Sequence, residues 1–200
     1  MKHNYVTFVA AVLVTSLLIL NADASLHAHL LSSQVRTADE YAVYSVLLTD
    51  MYADRRSLIL IKAQTSTDML KQSELRSLLL SMDRRLLGGV PQDLVDDFLE
   101  KNRHVSVIRN CLDLKKDYSL LSPEEVTRLV PHGDWTPFLA NYPWNGLVSL
   151  SNVGFNNKMD LALVYTGSQG GGKSGAGFFV VLVKKGANWV IRNKGNVWVS

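Results

Sequence analysis

Cysteine is nearly absent from this sequence: of its 200 residues, only Cys111 carries a thiol. A single cysteine cannot form a disulfide within the chain, and it cannot supply the several thiolates of a cysteine-rich zinc module. Aromatic residues are also few, at 8%, but hydrophobic residues as a class reach 47%. Because so apolar a chain can bury a core, an intrinsically disordered protein is excluded and about one globular domain is predicted.

Long hydrophobic runs are scarce, and the clearest one lies near the start of the chain. Lys2 precedes residues 6–20, which are apolar except for two threonines and a serine, and Ala22 and Ala24 follow. This order is typical of a secretory signal peptide. A membrane-spanning helix needs about 20 apolar residues, so an uncleaved anchor is the weaker alternative. We predict a signal peptide at 1–24 and an exported protein, periplasmic or extracellular, without a stable membrane span after cleavage.

The chain after the signal peptide begins with a polar segment and continues with helical patterns. Residues 25–36 lack periodicity, which indicates a mobile arm. Capping boxes are predicted at Thr37 and Ser122, each followed three residues later by a glutamate. Apolar spacing and the positions of proline predict four helices: residues 38–54, residues 67–87, and two that open at Pro91 and Pro123.

Strand patterns dominate the last 55 residues. Strands separated by short turns rich in glycine and asparagine form an antiparallel meander. The predicted fold class is therefore α+β: N-terminal helices packed on one face of a C-terminal antiparallel β-meander, as a single domain over residues 37–200. The strand patterns are residues 57–65, an alternating stretch at 105–121, and residues 147–153, 161–166, 177–185, 188–192 and 197–199.

Residues 167–174, Gly-Ser-Gln-Gly-Gly-Gly-Lys-Ser, match the phosphate-binding loop pattern G-x-x-x-x-G-K-[ST] letter for letter. That mechanism needs a helix directly after the loop, because the helix N-terminus holds the phosphate. Residues 175–183 are instead rich in aromatic and β-branched residues, which favour a strand. We therefore predict a flexible, glycine-rich hairpin tip and no nucleotide partner.

Side chains suited to acid–base or nucleophilic chemistry are present but follow no recognised spacing. His132 and Asp134 fall in a loop-rich section, where site residues often lie, although the same pattern fits a surface loop anchored by Trp135. Catalytic residues are therefore left unassigned, with no cofactor and no metal site among them. The five candidates are Asp97, His104, Cys111, His132 and Asp134.

Cleavage after Ala24 would leave a chain that begins Ser25-Leu26-His27. A free amine, two amide nitrogens and an imidazole at the third position form a square-planar set that suits Cu(II) or Ni(II). We state copper binding there as a hypothesis. The alternative is that His27 stands at this position by chance in a mobile arm.

Charge is divided unevenly along the chain. Residues 146–200 carry six basic residues against Asp160 alone, whereas residues 25–145 carry 14 basic and 16 acidic residues. A basic sheet could attract an anionic polymer outside the cytoplasm. The alternative is that its lysines keep a sheet edge from pairing with other chains.

Several residues near the C-terminus predict details of the sheet. Gly154 and Gly177 indicate bulges or a close approach of the backbone. Trp189 and Trp198 are predicted on neighbouring strands, where they either pack across the sheet or cap the helical layer. Asn156 and the asparagine after it are typical of a turn with positive φ.

The same segment carries a resemblance. It resembles a group of uncharacterised exported bacterial proteins, and helix residues 40–47 and residues 97–102 are similar to their earlier parts. The resemblance implies export and a shared α+β fold, and it brings no catalytic residue. Its strongest strings are Asn152-Val-Gly-Phe-Asn156, Ala162-Leu-Val-Tyr165, Gly175-Ala-Gly-Phe-Phe-Val-Val-Leu-Val-Lys184, Trp189-Val-Ile191 and Trp198-Val-Ser200.

These patterns favour a non-catalytic exported domain that binds an extracytoplasmic ligand through its sheet or its tryptophan-rich loop. An anionic polymer is one candidate partner. The alternative is a small secreted, hydrolase-like enzyme with a pocket between helices and sheet. A deep pocket holding His132, Asp134 or another polar cluster would favour the enzyme, whereas a filled core with a flat basic face would favour binding.

Overall fold

The structure is a computed structural model that describes residues 37–52, 58–67, 70–82, 89–143, 146–171 and 173–200. The predicted signal peptide at 1–24, the arm at 25–36 and the candidate copper ligands Ser25, Leu26 and His27 lie outside the described residues. Contacts between residues separate Glu40–Ser200 as one compact unit. The fold below is that of this unit.

Helices and strands alternate in the first part of this unit, and strands follow one another in the last part. In the described segments, no helix has both the length and the apolar character that a membrane crossing requires. The helices are α1 (residues 37–52), α2 (Gln72–Met82), α3 (Gln92–Lys101), α4 (Pro123–Leu129) and α5 (Thr136–Asn141), with a 3-10 turn at Pro131–Gly133. The strands are β1 (Ile59–Lys62), β2 (Tyr118–Leu121), β3 (Leu147–Leu150), β4 (Gly154–Phe155), β5 (Leu161–Gln169), β6 (Gly175–Lys185) and β7 (Asn188–Val199).

One mixed sheet joins all seven strands, in the order β2-β1-β3-β5-β6-β7, with the short β4 also paired to β5. Strands β5, β6 and β7 form the antiparallel meander, so the predicted α+β class is confirmed. Strand β1 runs parallel to both β2 and β3. Strands β1 and β2 lie within the strand patterns predicted at 57–65 and 105–121, but the sequence did not predict that they join the C-terminal strands in one sheet.

Helices cover both faces of the sheet, so the prediction of a single covered face is wrong. Val164 and Val180 pack with α1 on one face. Their neighbours Leu163 and Phe179 point to the opposite face and pack with α2 and α3. Near β1 and β3, that opposite face packs with α4 and α5. A strand buried on both faces needs apolar residues at consecutive positions, which is the pattern at 161–165.

The strand bounds differ from prediction where hydrogen bonding extends or interrupts the local pattern. Residues 188–192 and 197–199 belong to one strand, β7, which continues through two register shifts against β6. Trp189 and Trp198 therefore lie on the same strand rather than on neighbours. The stretch at 105–121 forms a strand only at Tyr118–Leu121, with one isolated bridge from Val107 to Gln64.

The helix ends and one turn show which of the predicted caps and turn conformations form in the structure. Ser122 forms the predicted capping box: its hydroxyl accepts from the Glu125 amide, and the Glu125 carboxylate accepts from the Ser122 amide. Thr37 is already helical, so the cap predicted there is wrong. The turn predicted to have positive φ at its asparagines instead has φ of 54° at Met159.

Candidate functional site

The predicted acid–base candidates do not come together in one place. Asp97 lies on α3, where its carboxylate accepts from the Phe155 amide at 2.7 Å and lies 3.5 Å from Lys101 Nζ. His104 is exposed just after that helix, and its carbonyl accepts from the Asn152 side chain at 2.8 Å. Asp97 therefore contacts β4 and His104 contacts the β3–β4 connection, and both contacts are structural.

The polar side chain of the loop at 131–135 also forms local hydrogen bonds. Asp134 accepts from the Thr136 amide at 2.9 Å, at the start of α5. Hydrogen bonds from the Thr136 hydroxyl and amide lower the pKa of the Asp134 carboxyl below its usual value. Trp135 stacks edge-to-face on the buried Phe138, with ring centroids 5.3 Å apart. This geometry agrees with the alternative interpretation of the segment as a surface loop anchored by Trp135.

Cys111 is exposed in the connection between α3 and β2. Its thiol neighbours the Tyr41 phenol, which accepts from the Arg109 amide at 2.7 Å. Partial burial raises the pKa of Tyr41, and the nearby Cys111 adds to that shift. No described cluster of three or more His, Cys, Asp or Glu residues could hold a metal ion.

Residues 152–156, the first of the strings quoted for the resemblance, hold α3 against the sheet. The Asn152 side chain donates to the carbonyls of Lys101 and His104, at 3.0 and 2.8 Å, and so closes the C-terminal end of α3. A Cβ atom on Gly154 would lie 2.6 Å from Cβ of Phe98 and 2.7 Å from its backbone nitrogen. The predicted close approach at Gly154 is confirmed, and these residues have a packing role.

Asn156 closes the turn that leads into β5. Its side-chain oxygen accepts from the amides of Asp160 and Leu161, at 3.0 and 2.9 Å, and its amide group donates to the Asp160 carboxylate at 2.7 Å. Every polar group of this side chain is thereby engaged. None of the buried side-chain nitrogen or oxygen atoms described in the 152–156 segment lacks a hydrogen-bond partner.

The glycine-rich string is the hairpin tip that the sequence predicts. Strand β5 ends at Gln169 and β6 begins at Gly175, so a strand follows the loop where a phosphate-binding loop requires a helix. The Gly170 amide donates to the Ser174 carbonyl at 2.8 Å and closes the tip.

A cleft of about 410 Å³ lies beside this hairpin, on the face of the sheet that α1 covers. We call it the hairpin cleft. Its helical wall is the last turn of α1, with Met51 and Tyr52, and Gly146 borders it at the start of β3. The hairpin contributes Thr166, Ser168, Ser174 and Phe178, with glycines and an alanine between them.

Thr166 distinguishes this cleft from the rest of the core. Its side chain is fully buried. Among the buried side-chain nitrogen and oxygen atoms of the described residues, its hydroxyl oxygen is the one that has no hydrogen-bond partner. An unsatisfied buried hydroxyl costs about 1–3 kcal/mol. Thr166 lines the cleft, and because its hydroxyl has no exposed surface, a ligand would reach it only by displacing the groups that cover it.

Trp198 stiffens the hairpin from the opposite face. Its indole Nε1 donates to the Tyr165 hydroxyl at 2.9 Å. A Cβ atom on Gly177 would lie within 2.7 Å of the Tyr165 hydroxyl and closer still to the indole, so the close approach predicted at Gly177 is also confirmed. The glycines allow the ring to lie flat against the strand, and the cleft floor is thus backed by packed aromatic rings.

The basic residues of the C-terminal segment are spread over the sheet. Lys173 lies at the hairpin tip, whereas Lys158 in a turn and Lys185 at the end of β6 lie at the opposite end of β5 and β6. Lys194 forms an ion pair with Asp50 on α1, and Lys184 lies over the Trp189 ring at 5.4 Å. This distribution provides no concentrated basic face in the described residues.

The hairpin cleft was missed at the sequence level because its helical wall and its hairpin wall come from residues more than 110 positions apart. One signal was present: Thr166 and Ser168 continue the face of β5 that carries Ala162 and Val164, so hydroxyls interrupt an otherwise apolar row. No protein-family model matches the chain, and no curated protein or solved structure matches it either. The resemblance to exported bacterial proteins therefore stays a prediction.

Proposed function

We propose that this chain is a non-catalytic binding protein that takes an extracytoplasmic ligand into the hairpin cleft. The observation that carries the proposal is the Thr166 hydroxyl, buried at the cleft and lacking a partner among the described residues. Export is the part of the proposal that rests on the sequence pattern of residues 1–24.

The lining residues support binding rather than catalysis. The described lining contains glycines, hydroxyls, a methionine and two aromatic rings, and none of these is a carboxylate, an imidazole or a thiol. General acid–base catalysis relies mainly on such groups, positioned within hydrogen-bonding distance of the substrate. His132 and Asp134, which would have favoured an enzyme, lie on an exposed loop and do not line the cleft.

A cleft-filling substitution tests the proposal. Ala176 borders the cleft, so Ala176→Trp would occupy its volume with an indole. We would measure retention of the purified protein on an array of uncharged and anionic glycans that includes heparin. We expect wild type to be retained on a subset of the array and A176W to lose that retention. Ala187→Trp is the matched control, because Ala187 is exposed in the β6–β7 turn at the other end of the sheet.

Three outcomes would contradict this function. Retention of A176W equal to that of wild type would place the ligand elsewhere, and loss of retention in Arg192→Ala/Lys194→Ala alone would favour strand β7. Cleavage of a bound glycan would favour the alternative of a secreted hydrolase. Absence of wild-type retention across the array would also count against the proposal.

A further inference from the structure

The geometry points to a docking strand for an extended, acidic peptide of a partner protein at residues 105–107, which we call the valine edge. The partner peptide adds one β-strand beside this segment, with apolar side chains at alternate positions and a carboxylate at one end. The valine edge lies next to Arg109, whose amide contacts Tyr41 in the N-terminal part of α1, whereas the hairpin cleft lies at the last turn of that helix. The proposal therefore goes beyond the cleft function and does not depend on it.

Hydrogen bonds hold the valine edge beside the end of β1. The Thr65 amide donates to the Ser106 carbonyl at 2.9 Å, and the Ser106 amide donates to the Thr65 hydroxyl at 2.8 Å. Further along, the Ile108 amide donates to the Ala63 carbonyl at 2.8 Å. The amides of Ser106 and Ile108 are thereby used within the fold.

The two valines direct their backbone groups the other way. Val107 forms an antiparallel bridge with Gln64, and the bonds to the Ser106 carbonyl and from the Ile108 amide flank that bridge. In a pair of this kind the facing residues exchange no hydrogen bonds, so the amide and carbonyl of Val107 point away from β1. Backbone groups alternate in direction along an extended segment, so those of Val105 point outward as well.

The outer side of the valine edge is open to solvent. Val105 is 67% exposed and Val107 is 69% exposed, whereas the neighbouring Ile108 is buried in the core under α1. A strand already paired on the outer side would cover much of the surface of both valines. Outward amides and carbonyls beside exposed apolar side chains are the features that an added peptide strand recognises.

The side chains of this segment indicate the chemistry of the partner. The valines favour apolar residues on the facing strand, and the exposed Arg109, two positions after Val107, favours a carboxylate. Arg103, at the other end, already pairs with Glu100 at 2.8 Å. A second copy of the chain fits less well, because residues 103–110 contain two arginines and a histidine and no acidic residue. It would bring like charges together and offer Arg109 no carboxylate.

Two synthetic peptides test the proposal by NMR titration of the purified protein. The acidic peptide is acetyl-Glu-Thr-Val-Thr-Val-Thr-amide, which in antiparallel register places its glutamate opposite Arg109 and its valines opposite Val107 and Val105. The basic peptide has lysine in place of that glutamate. We expect the acidic peptide to bind about fivefold more tightly. It should slow hydrogen exchange at the amides of Val105 and Val107, with little change at Ser106 and Ile108, which are bonded in the free protein.

Two substitutions separate the backbone contribution from that of the side chains. Val107→Pro removes the outward amide and should weaken binding of the acidic peptide about tenfold or more, whereas Val107→Thr keeps the amide and should bind within about twofold of wild type. Val105→Asp places a negative charge at the edge and should also weaken binding about tenfold. Leu80→Asp is the matched control, because Leu80 is exposed on α2.

The acidic peptide must bind at millimolar concentration for the proposal to stand. Equal or tighter binding of the basic peptide, protection at amides outside the valine edge, or wild-type affinity in V105D would overturn it. If V107P does not fold, V105D against L80D decides the result. Broadening of the Val105 and Val107 resonances with protein concentration alone would favour a second copy as the occupant and would also overturn the proposal.

Discussion

The 152–156 segment and the hairpin cleft lie in the same sheet, and they use polar residues in opposite ways. In the first, the side chains of Asn152 and Asn156 form hydrogen bonds that close a helix and a turn. In the second, the Thr166 hydroxyl is buried without a partner in the described residues. The first region is thus devoted to folding. The second contains a buried hydroxyl that the described fold leaves unsatisfied.

Alanine substitutions at Gly154 and Gly177, the two glycines packed closely against other residues, should give the largest changes in stability. Their different sizes should distinguish the 152–156 segment from the hairpin. Gly154→Ala is expected to destabilise the protein by about 3 kcal/mol or more, because the new atom meets the backbone of Phe98 in α3. Gly177→Ala should cost about 1–3 kcal/mol, because the atoms it meets belong to the side chains of Trp198 and Tyr165, which can shift. Urea unfolding followed by circular dichroism measures both.

Gly89→Ala controls for the loss of a glycine as such. Nothing lies within 4 Å of a Cβ at Gly89, but its φ is +78°, so only the backbone conformation is penalised, by about 1 kcal/mol. If G154A proved no more destabilising than G89A, the close packing of the 152–156 segment on α3 would be disproved.

Removal of the Asn156 side chain is the next largest test of the same segment. Asn156→Ala leaves the amides of Asp160 and Leu161 without their acceptor and is expected to cost about 2–3 kcal/mol. Asn157→Ala is the control, because the Asn157 contact to Asp93 uses its backbone amide and survives the substitution. A stability change in N156A within about 0.5 kcal/mol of that in N157A would show that the turn does not depend on this side chain.

The sequence was informative where structure is local. Alternating residues and turn residues predicted the antiparallel meander, and Ser122 with Glu125 predicted a real cap. The β-forming residues after Lys173 predicted a hairpin where a motif search would have placed a phosphate-binding loop. Each of these features depends on neighbours within a few positions, so a single segment contains all the information needed.

Features that depend on distant residues were not predicted. The parallel pairing of β1 with β2 and β3 joins segments about 60 and 90 positions apart, and no local period specifies it. The hairpin cleft likewise requires Met51 and Tyr52 to stand beside a hairpin at 166–178. Whether Thr166 has a partner is a property of the packed interior, which a list of residue types does not reveal.

Thr65 and Thr166 allow a direct comparison between a buried hydroxyl that has a hydrogen-bond partner and one that has none. Thr65→Val should destabilise the protein by about 1–3 kcal/mol, because it leaves the Ser106 amide without its acceptor at 2.8 Å. Thr166→Val should be neutral or stabilising by up to about 1 kcal/mol, because the lost hydroxyl has no partner among the described residues. Urea unfolding of the ligand-free protein measures both. A T166V protein as unstable as T65V would mean that the Thr166 hydroxyl is satisfied, and the case for the cleft would fail.

The smallest expected effect concerns Tyr44, whose hydroxyl donates to the Ser151 carbonyl at 2.8 Å, directly before the 152–156 segment. Burial, with the nearby Glu40 charge and Tyr41, raises the pKa of Tyr44 well above its ordinary value of 10.0. Because the unfolded chain then loses this proton first, the stabilisation is complete below about pH 10 and declines at higher pH.

Tyr44→Phe isolates this contribution from those of the other groups that titrate in alkali. The stability advantage of wild type over Y44F should be constant from pH 8 to about pH 9.5 and should shrink by about 1 kcal/mol at pH 11. Urea unfolding of both proteins across this range provides the measurement. An advantage that stays flat to pH 11 would mean that the phenol ionises as readily in the folded protein as in the unfolded chain. In that case the polar contacts around residues 151–156 would be open to water, and the contrast with the hairpin cleft would be weaker than the burial of Tyr44 indicates.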